Sequence, residues 1–174
     1  MDISNKTFVV VGTGKSGVAA AELLLRHAKK VYLYDGNEAL DVAAFREQHQ
    51  SLNAVELILG TLPADIEATL DIAVLSPGVP LDIPLVEQMK AQGICIWGEI
   101  ELAYVLGKGK VVAITGTNGK TTTTTLVGQI MARHFAKVQV VGNIGIPYTS
   151  VVEDTTEDTV VVAEISSFQL ETIQ

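Results

Sequence analysis

Residues Ile114-Thr115-Gly116-Thr117-Asn118-Gly119-Lys120-Thr121 leave the chain few ways to fold locally. The apolar run Val111-Val112-Ala113-Ile114 ahead of them reads as a buried strand, and residues 122–133 behind them as a helix. A strand, a glycine-bearing turn and a helix N-terminus make an anion site. The turn's backbone N–H groups face inward and the helix dipole adds partial positive charge. Lys120 would supply a full positive charge for the β- and γ-phosphates of a nucleotide, and Thr121 a hydroxyl for a magnesium ion. The usual pattern places a glycine five residues before Gly119. Here that position is Ile114, and Gly116 stands three before, so the loop is shortened. The structural alternative is an ordinary strand-to-helix turn with a solvated lysine and Thr121 in a cap. The order of strand, two glycines, lysine, hydroxyl and helix favours the anion site.

A second glycine turn lies near the start. Residues 7–11 read as a buried strand, Gly12-Thr13-Gly14-Lys15-Ser16-Gly17 follows at once, residues 16–28 read as a helix, and residues 31–34 as a strand ending in Asp35. This is the Gly-x-Gly-x-x-Gly arrangement with an acid about 20 residues on. Alone it suggests NAD. Any nucleotide diphosphate can use the same turn, and so can a turn that binds nothing.

The alternation continues. Helices are expected over 40–49, 63–69, 84–92 and 100–106, and strands over 55–59, 71–75 and 94–97. Ser76-Pro77-Gly78-Val79-Pro80 falls at the C-terminal end of a strand, the edge where open parallel sheets bind ligands; a plain turn would use the same residues. Five strands alternating with helices predict an α/β fold: a Rossmann-like parallel sheet over 1–106, a glycine-rich linker over 107–110, and an incomplete P-loop α/β domain over 111–174. In that second part residues 138–141 form a strand leading to Gly142-Asn143, and 151–158 a helix end and loop. Residues 159–163 form a buried strand that delivers Glu164 beside the phosphate turn. A carboxylate there suits a further magnesium contact; a capping surface glutamate is the alternative. Three strands are too few for a nucleotide-binding sheet covered on both faces. The chain is therefore expected to be the front of a longer protein, inactive alone, with exposed apolar surface in its second part that leads to self-association or mobility.

Composition narrows the classes. The chain of 174 residues is 48% hydrophobic and 18% charged, as soluble globular chains are. A net charge of −8 without a Lys/Arg cluster argues against nucleic-acid binding. The first residues lack a signal peptide's basic start and apolar core, and no apolar run approaches the ~20 residues that span a bilayer. No membrane association and a cytoplasmic location are expected. Cys95, the sole cysteine, reads as a small buried hydrophobe, and His27 and His49 as surface or cap residues.

The glycine turns, Ser76-Pro77-Gly78, Gly98-Glu99-Ile100-Glu101-Leu102, Gly142-Asn143-Ile144-Gly145 and Glu164-Ile165-Ser166-Ser167-Phe168-Gln169-Leu170-Glu171 occur in an order that resembles the Mur ligases of peptidoglycan synthesis. The last segment resembles the member that joins D-glutamate to UDP-N-acetylmuramoyl-L-alanine. Folylpolyglutamate synthases share the phosphate loop but lack a nucleotide-sugar domain of this kind in front. The resemblance implies an ATP- and Mg2+-dependent ligase of cell-wall biogenesis, serving cell shape and division and monomeric as a whole protein. It assigns UDP, not NAD, to the first turn. Lys15 and Ser16 would meet the diphosphate, Asp35 and Gly36 the uracil or ribose, and Ser76, Pro77 and Gly78 would line the crevice. Gly36-Asn37 stands where family members often carry an arginine. Gly116, Thr117, Asn118, Gly119, Lys120 and Thr121 would bind ATP, with Lys120 and Glu164 catalytic and Thr121 and Glu164 on magnesium. Asn143, Ser166 and Gln169 would face the muramoyl-alanine part. An NAD(P)-dependent oxidoreductase leaves the phosphate loop unexplained, and a regulatory nucleotide-binding module leaves one of two nucleotide sites unexplained.

Overall fold

The computed structural model describes all 174 residues, which form two compact units, Met1–Gly98 and Glu99–Gln174. The first unit carries a five-stranded sheet, all pairs parallel. Its strands are β1 (Thr7–Val11), β2 (Lys30–Asp35), β3 (Glu56–Leu59), β4 (Ile72–Leu75) and β5 (Cys95–Gly98), in the spatial order β3-β2-β1-β4-β5. The central strand is the one that is apolar at nearly every position. Phe8, Val9 and Val10 are wholly buried, as a strand covered on both faces must be. Val9, Val11, Tyr32, Tyr34, Ala73 and Leu75 share one face with Val86 and Met89 of the helix α4 (Pro84–Ala91). Alternation sends Phe8 and Val10 to the other face, where the helix α1 (Lys15–His27) buries Val18, Ala21 and Leu24. Phe8 and Trp97 meet there with ring centroids 6.1 Å apart.

The expected elements are present with shifted ends. The helix α2 (Val42–Gln48) starts later than residue 40 because Asp41 is its cap, accepting from the Ala44 N–H at 3.0 Å. The helix α3 is a single turn, Ala64–Glu67. Cys95 is half-buried in β5 rather than buried, since β5 is an edge strand.

The second unit begins earlier than the sequence suggested. The helix α5 (Glu99–Leu106) groups with it, where the sequence reading carried the first domain to residue 106. The buried Glu99 carboxylate explains why: it accepts from the Thr149 N–H at 2.6 Å and the Thr149 hydroxyl at 2.7 Å. Residues 107–110 are also not a free linker. The Gly107 N–H donates to the Ala103 carbonyl at 2.8 Å, the Lys108 N–H to the Thr155 hydroxyl at 2.9 Å, and Lys110 already belongs to a strand.

That strand, β6 (Lys110–Ile114), pairs in parallel with β8 (Val160–Glu164), and β8 with β7 (Val138–Gly142), in the order β6-β8-β7. The central β8 is fully buried, as its run of valines requires. The helix α6 (Lys120–Ala132) crosses between β6 and β7. It buries Thr124 and Gly128 and exposes Leu126 and Ile130. Tyr148–Ser150 and Val152–Asp154 form two short 3-10 turns, the second inside the stretch 151–158 where a helix end and loop were expected. The last helix, α7 (Ser167–Leu170), is one turn.

Candidate functional sites

In the first unit, β1 ends at Val11 and the chain turns through Gly12–Gly14 into α1. Gly14 is the N-cap, and no side chain satisfies the first N–H groups of the helix. Those groups stay available to an anion. Lys15 and Ser16 open the helix, and Lys15 is exposed. Gly17 must be glycine, because a Cβ there would lie 1.9 Å from the Gly12 carbonyl oxygen. Ser76, just past β4, donates from its hydroxyl to that same carbonyl at 3.4 Å, and its N–H donates to the Val11 carbonyl at 3.0 Å. Register explains this: Val11 pairs with Leu75 on one side and Tyr34 on the other. Three strand ends therefore deliver the glycine turn, Ser76 and Asp35 to one sheet edge. Gly36, Pro77 and Gly78 lie exposed at the same edge.

Asp35 is already held by three hydrogen bonds within the protein. Its Oδ2 accepts from the Thr13 N–H at 3.0 Å and the Thr13 hydroxyl at 2.5 Å, and its Oδ1 from the Asn37 N–H at 2.9 Å. Desolvation pushes the Asp35 carboxyl up, but these bonds from Thr13 and Asn37 outweigh it and hold the group below the usual aspartate range.

In the second unit the register is equally direct. Ile114, Glu164 and Gly142 lie in one row across β6, β8 and β7. Each is the last residue of its strand, so the glycine turn after β6, Glu164 and Asn143 emerge side by side. The Asn143 N–H donates to the Glu164 carbonyl at 3.0 Å, and the Ile165 N–H to the Ile114 carbonyl at 2.9 Å. Gly119 caps α6 in the left-handed region at φ 75°. Two groups of the turn are paired within the protein. The Lys120 ammonium donates to the Gly116 carbonyl at 2.8 Å, and the Thr121 hydroxyl to Glu164 Oε2 at 2.8 Å. Thr115 and residues 116–119 are exposed.

Thr121 and Glu164 together offer oxygen donors of the kind a hard cation takes. No cluster of three or more His, Cys, Asp or Glu side chains able to hold a metal occurs anywhere in the chain. Two oxygen donors are compatible with magnesium, which keeps waters and phosphate oxygens as most of its ligands and needs few from protein.

Ser166 and Gln169 bind each other. Ser166 caps α7, accepting from the Gln169 N–H at 3.2 Å, while Gln169 Oε1 accepts from the Ser166 N–H at 2.9 Å. The spacing Ser-x-x-Gln carries that capping signal, which the sequence reading passed over. Gln169 is buried, and its Nε2 has no partner in the protein.

Residues 6–98 match the family described as Mur ligase MurD-like, N-terminal domain, and residues 114–174 match the Mur ligase middle domain. The chain belongs to the Mur ligase family. It is 54% identical over 173 residues to the UDP-N-acetylmuramoylalanine--D-glutamate ligase of Lachnospira eligens, a match covering 99% of this chain and 38% of that protein. It is 50% identical over 174 residues to the ligase of the same name from Lachnoclostridium phytofermentans, covering 100% of this chain and 38% of that protein. The chain thus spans about 38% of the length of the curated Mur ligases it matches. Among solved structures, the UDP-N-acetylmuramate:L-alanyl-gamma-D-glutamyl-meso-diaminopimelate ligase from Neisseria meningitides shares the fold. Its TM-score is 0.53 at 18% identity, covering 95% of this chain and 55% of that one. No helix is long and apolar enough to cross a membrane.

Proposed function

We propose that this chain supplies the UDP-substrate and ATP sites of a ligase that adds D-glutamate to UDP-N-acetylmuramoyl-L-alanine in the cytoplasm. The observation that carries the reading is the row Ile114–Glu164–Gly142, which sets a phosphate turn, a carboxylate and Asn143 at one strand edge. The high identity to ligases of that name over nearly the whole chain supports the choice of substrate. In the first unit, the uncapped start of α1 with Lys15 and Ser16 receives the diphosphate of UDP. Gly36, Ser76, Pro77 and Gly78 line the nucleoside part, and Asp35 stands at its edge.

In the second unit, Gly116, Thr117, Asn118 and Gly119 wrap the ATP phosphates. Lys120 leaves the Gly116 carbonyl and takes a phosphate oxygen as its new partner. Thr121 and Glu164 would hold magnesium, which offsets phosphate charge when bound. Asn143, Ser166 and Gln169 face the muramoyl-alanine part, and the unpartnered Gln169 Nε2 is a donor for it. The L-alanine carboxylate attacks the γ-phosphorus of ATP, forming an acyl phosphate and releasing ADP. The D-glutamate amine then attacks the acyl carbon and expels phosphate, leaving an amide. The protein's part is positioning and neutralisation of charge, without a covalent nucleophile of its own.

A chimera tests this directly. Residues 1–174 of this chain replace the matching segment of the Lachnospira eligens enzyme. Phosphate release that requires both UDP-N-acetylmuramoyl-L-alanine and D-glutamate, and that is lost in Lys120→Ala, is the expected result. A folded chimera that binds ATP yet forms no amide would overturn the proposal.

A further inference from the structure

The motif Gly-x-Gly-x-x-Gly leaves its second position open, and this chain places a threonine there. Thr13 gives Asp35 two of the three hydrogen bonds that the carboxylate receives, one from the backbone and one from the side chain. The two residues are 22 apart in sequence. Their contact ties the glycine turn to the end of β2 and, through Asn37, to the loop beyond it. We propose that Thr13 is a positioning residue: Thr13 and Asp35 act as one clamp that holds the glycine turn in the shape a nucleoside diphosphate requires. The proposal rests on the reading of the first unit as a UDP site.

The chemistry of the clamp is one-sided. Three donors converge on one carboxylate, and only an ionised carboxylate is acceptor at every site. An amide in its place would turn a donor toward Thr13 or Asn37. Three of about four acceptor positions are used, so one position on Oδ1 remains for a donor on the ligand. Tyr34 is the titratable neighbour of Asp35, and the charges of both Asp35 and Glu38 act on it. The Tyr34 hydroxyl is engaged with the Gly60 carbonyl at 2.5 Å, and its own proton is held more tightly by burial and then by the charges of Asp35 and Glu38. Ser76 braces the other side of the turn through the Gly12 carbonyl. A methyl-for-hydroxyl change at Thr13 removes the side-chain half of the clamp and leaves the backbone N–H bond in place.

A double-mutant cycle with UDP as the probe tests the clamp. Thr13→Val and Asp35→Asn should each weaken UDP binding by about tenfold, and the double variant should be within about twofold of the weaker single. Thr13→Ser, which keeps the hydroxyl, should stay within about threefold of the wild type. Losses that multiply to about a hundredfold, or a Thr13→Val variant that binds UDP normally, would overturn the clamp. A readout without ligand covers variants that fold poorly. In the wild-type chain, the Thr13 and Asn37 amide signals should move together as acid titrates Asp35, with a midpoint below 3.8. Amides that move separately, or not at all, would overturn the clamp. A wild-type chain that binds no UDP would overturn the UDP reading, and the amide signals would then decide the clamp alone.

Discussion

The two glycine turns follow one plan and reach different states. Each joins a parallel strand to a helix of 13 residues through an uncapped N-terminus. The first turn is braced on both sides, by Thr13 to Asp35 and by Ser76 to Gly12, and Gly17 packs against it with no room for a methyl group. Its helix buries six residues. The second turn is open to solvent, its helix buries only Thr124 and Gly128, and its cation and hydroxyl are paired with groups of the protein itself. Under the proposed function, the first is shaped before its ligand arrives, and the second would exchange its internal bonds for ligand bonds. Fixed surroundings suit a site that recognises a substrate, and exchangeable partners suit one that must take up and release a nucleotide and an ion.

Glycine substitutions should separate the two turns most strongly. Gly17→Ala forces a Cβ to within 1.9 Å of a backbone oxygen, so urea denaturation should show a loss of about 3 kcal/mol or more. Gly119→Ala meets no atom within 4 Å and carries only the strain of a positive φ, about 1–2 kcal/mol. Equal losses would break the comparison. Lys120→Ala should weaken ATP binding by tenfold to a hundredfold or more, from the ~1.5–3 kcal/mol of a charged hydrogen bond. Its urea midpoint should stay close to wild type, because the Lys120–Gly116 bond is exposed. Calorimetric titration with ATP checks the first expectation.

Two pH tests are smaller and opposite in sign. Asp35 has a lowered carboxyl value in the folded protein, so its stabilisation is present above the unfolded value and lost as pH falls through the folded one. Wild type should therefore lose more urea resistance than Asp35→Asn on acidification below 3.8. Glu99 is raised by burial, against the bonds from Thr149 and Tyr148. Its folded form holds the proton longer, so stability falls as pH rises from 4.5 through the folded value. Glu99→Gln keeps an acceptor for Thr149, and should flatten that slope while changing stability at neutral pH by about 1 kcal/mol or less. A steeper slope in the variant would contradict the assignment.

The elements were legible because periodicity and glycine spacing are local signals. The β-branched and apolar runs at 7–11 and 159–163 mark the two central strands, and both are buried throughout. Placing Glu164 beside the phosphate turn from its strand end agrees with the register Ile114↔Glu164. The long-range partners were not legible. Nothing near Glu99 in sequence points to Thr149, so the glycine-rich segment 107–110 looked like a boundary although hydrogen bonds fix it. The bond from Thr13 to Asp35 was hidden in the same way, because it is set by where β1 and β2 end rather than by either residue's neighbours. The Ser166–Gln169 capping box was in reach, since its spacing is local.

The most direct measurement is calorimetric titration of the 174-residue chain with UDP-N-acetylmuramoyl-L-alanine, with NADH in parallel. Saturable heat with the UDP-sugar and none with NADH is the predicted result. Binding of NADH with no response to the UDP-sugar would contradict the assignment of the first turn and, with it, the proposed ligase substrate.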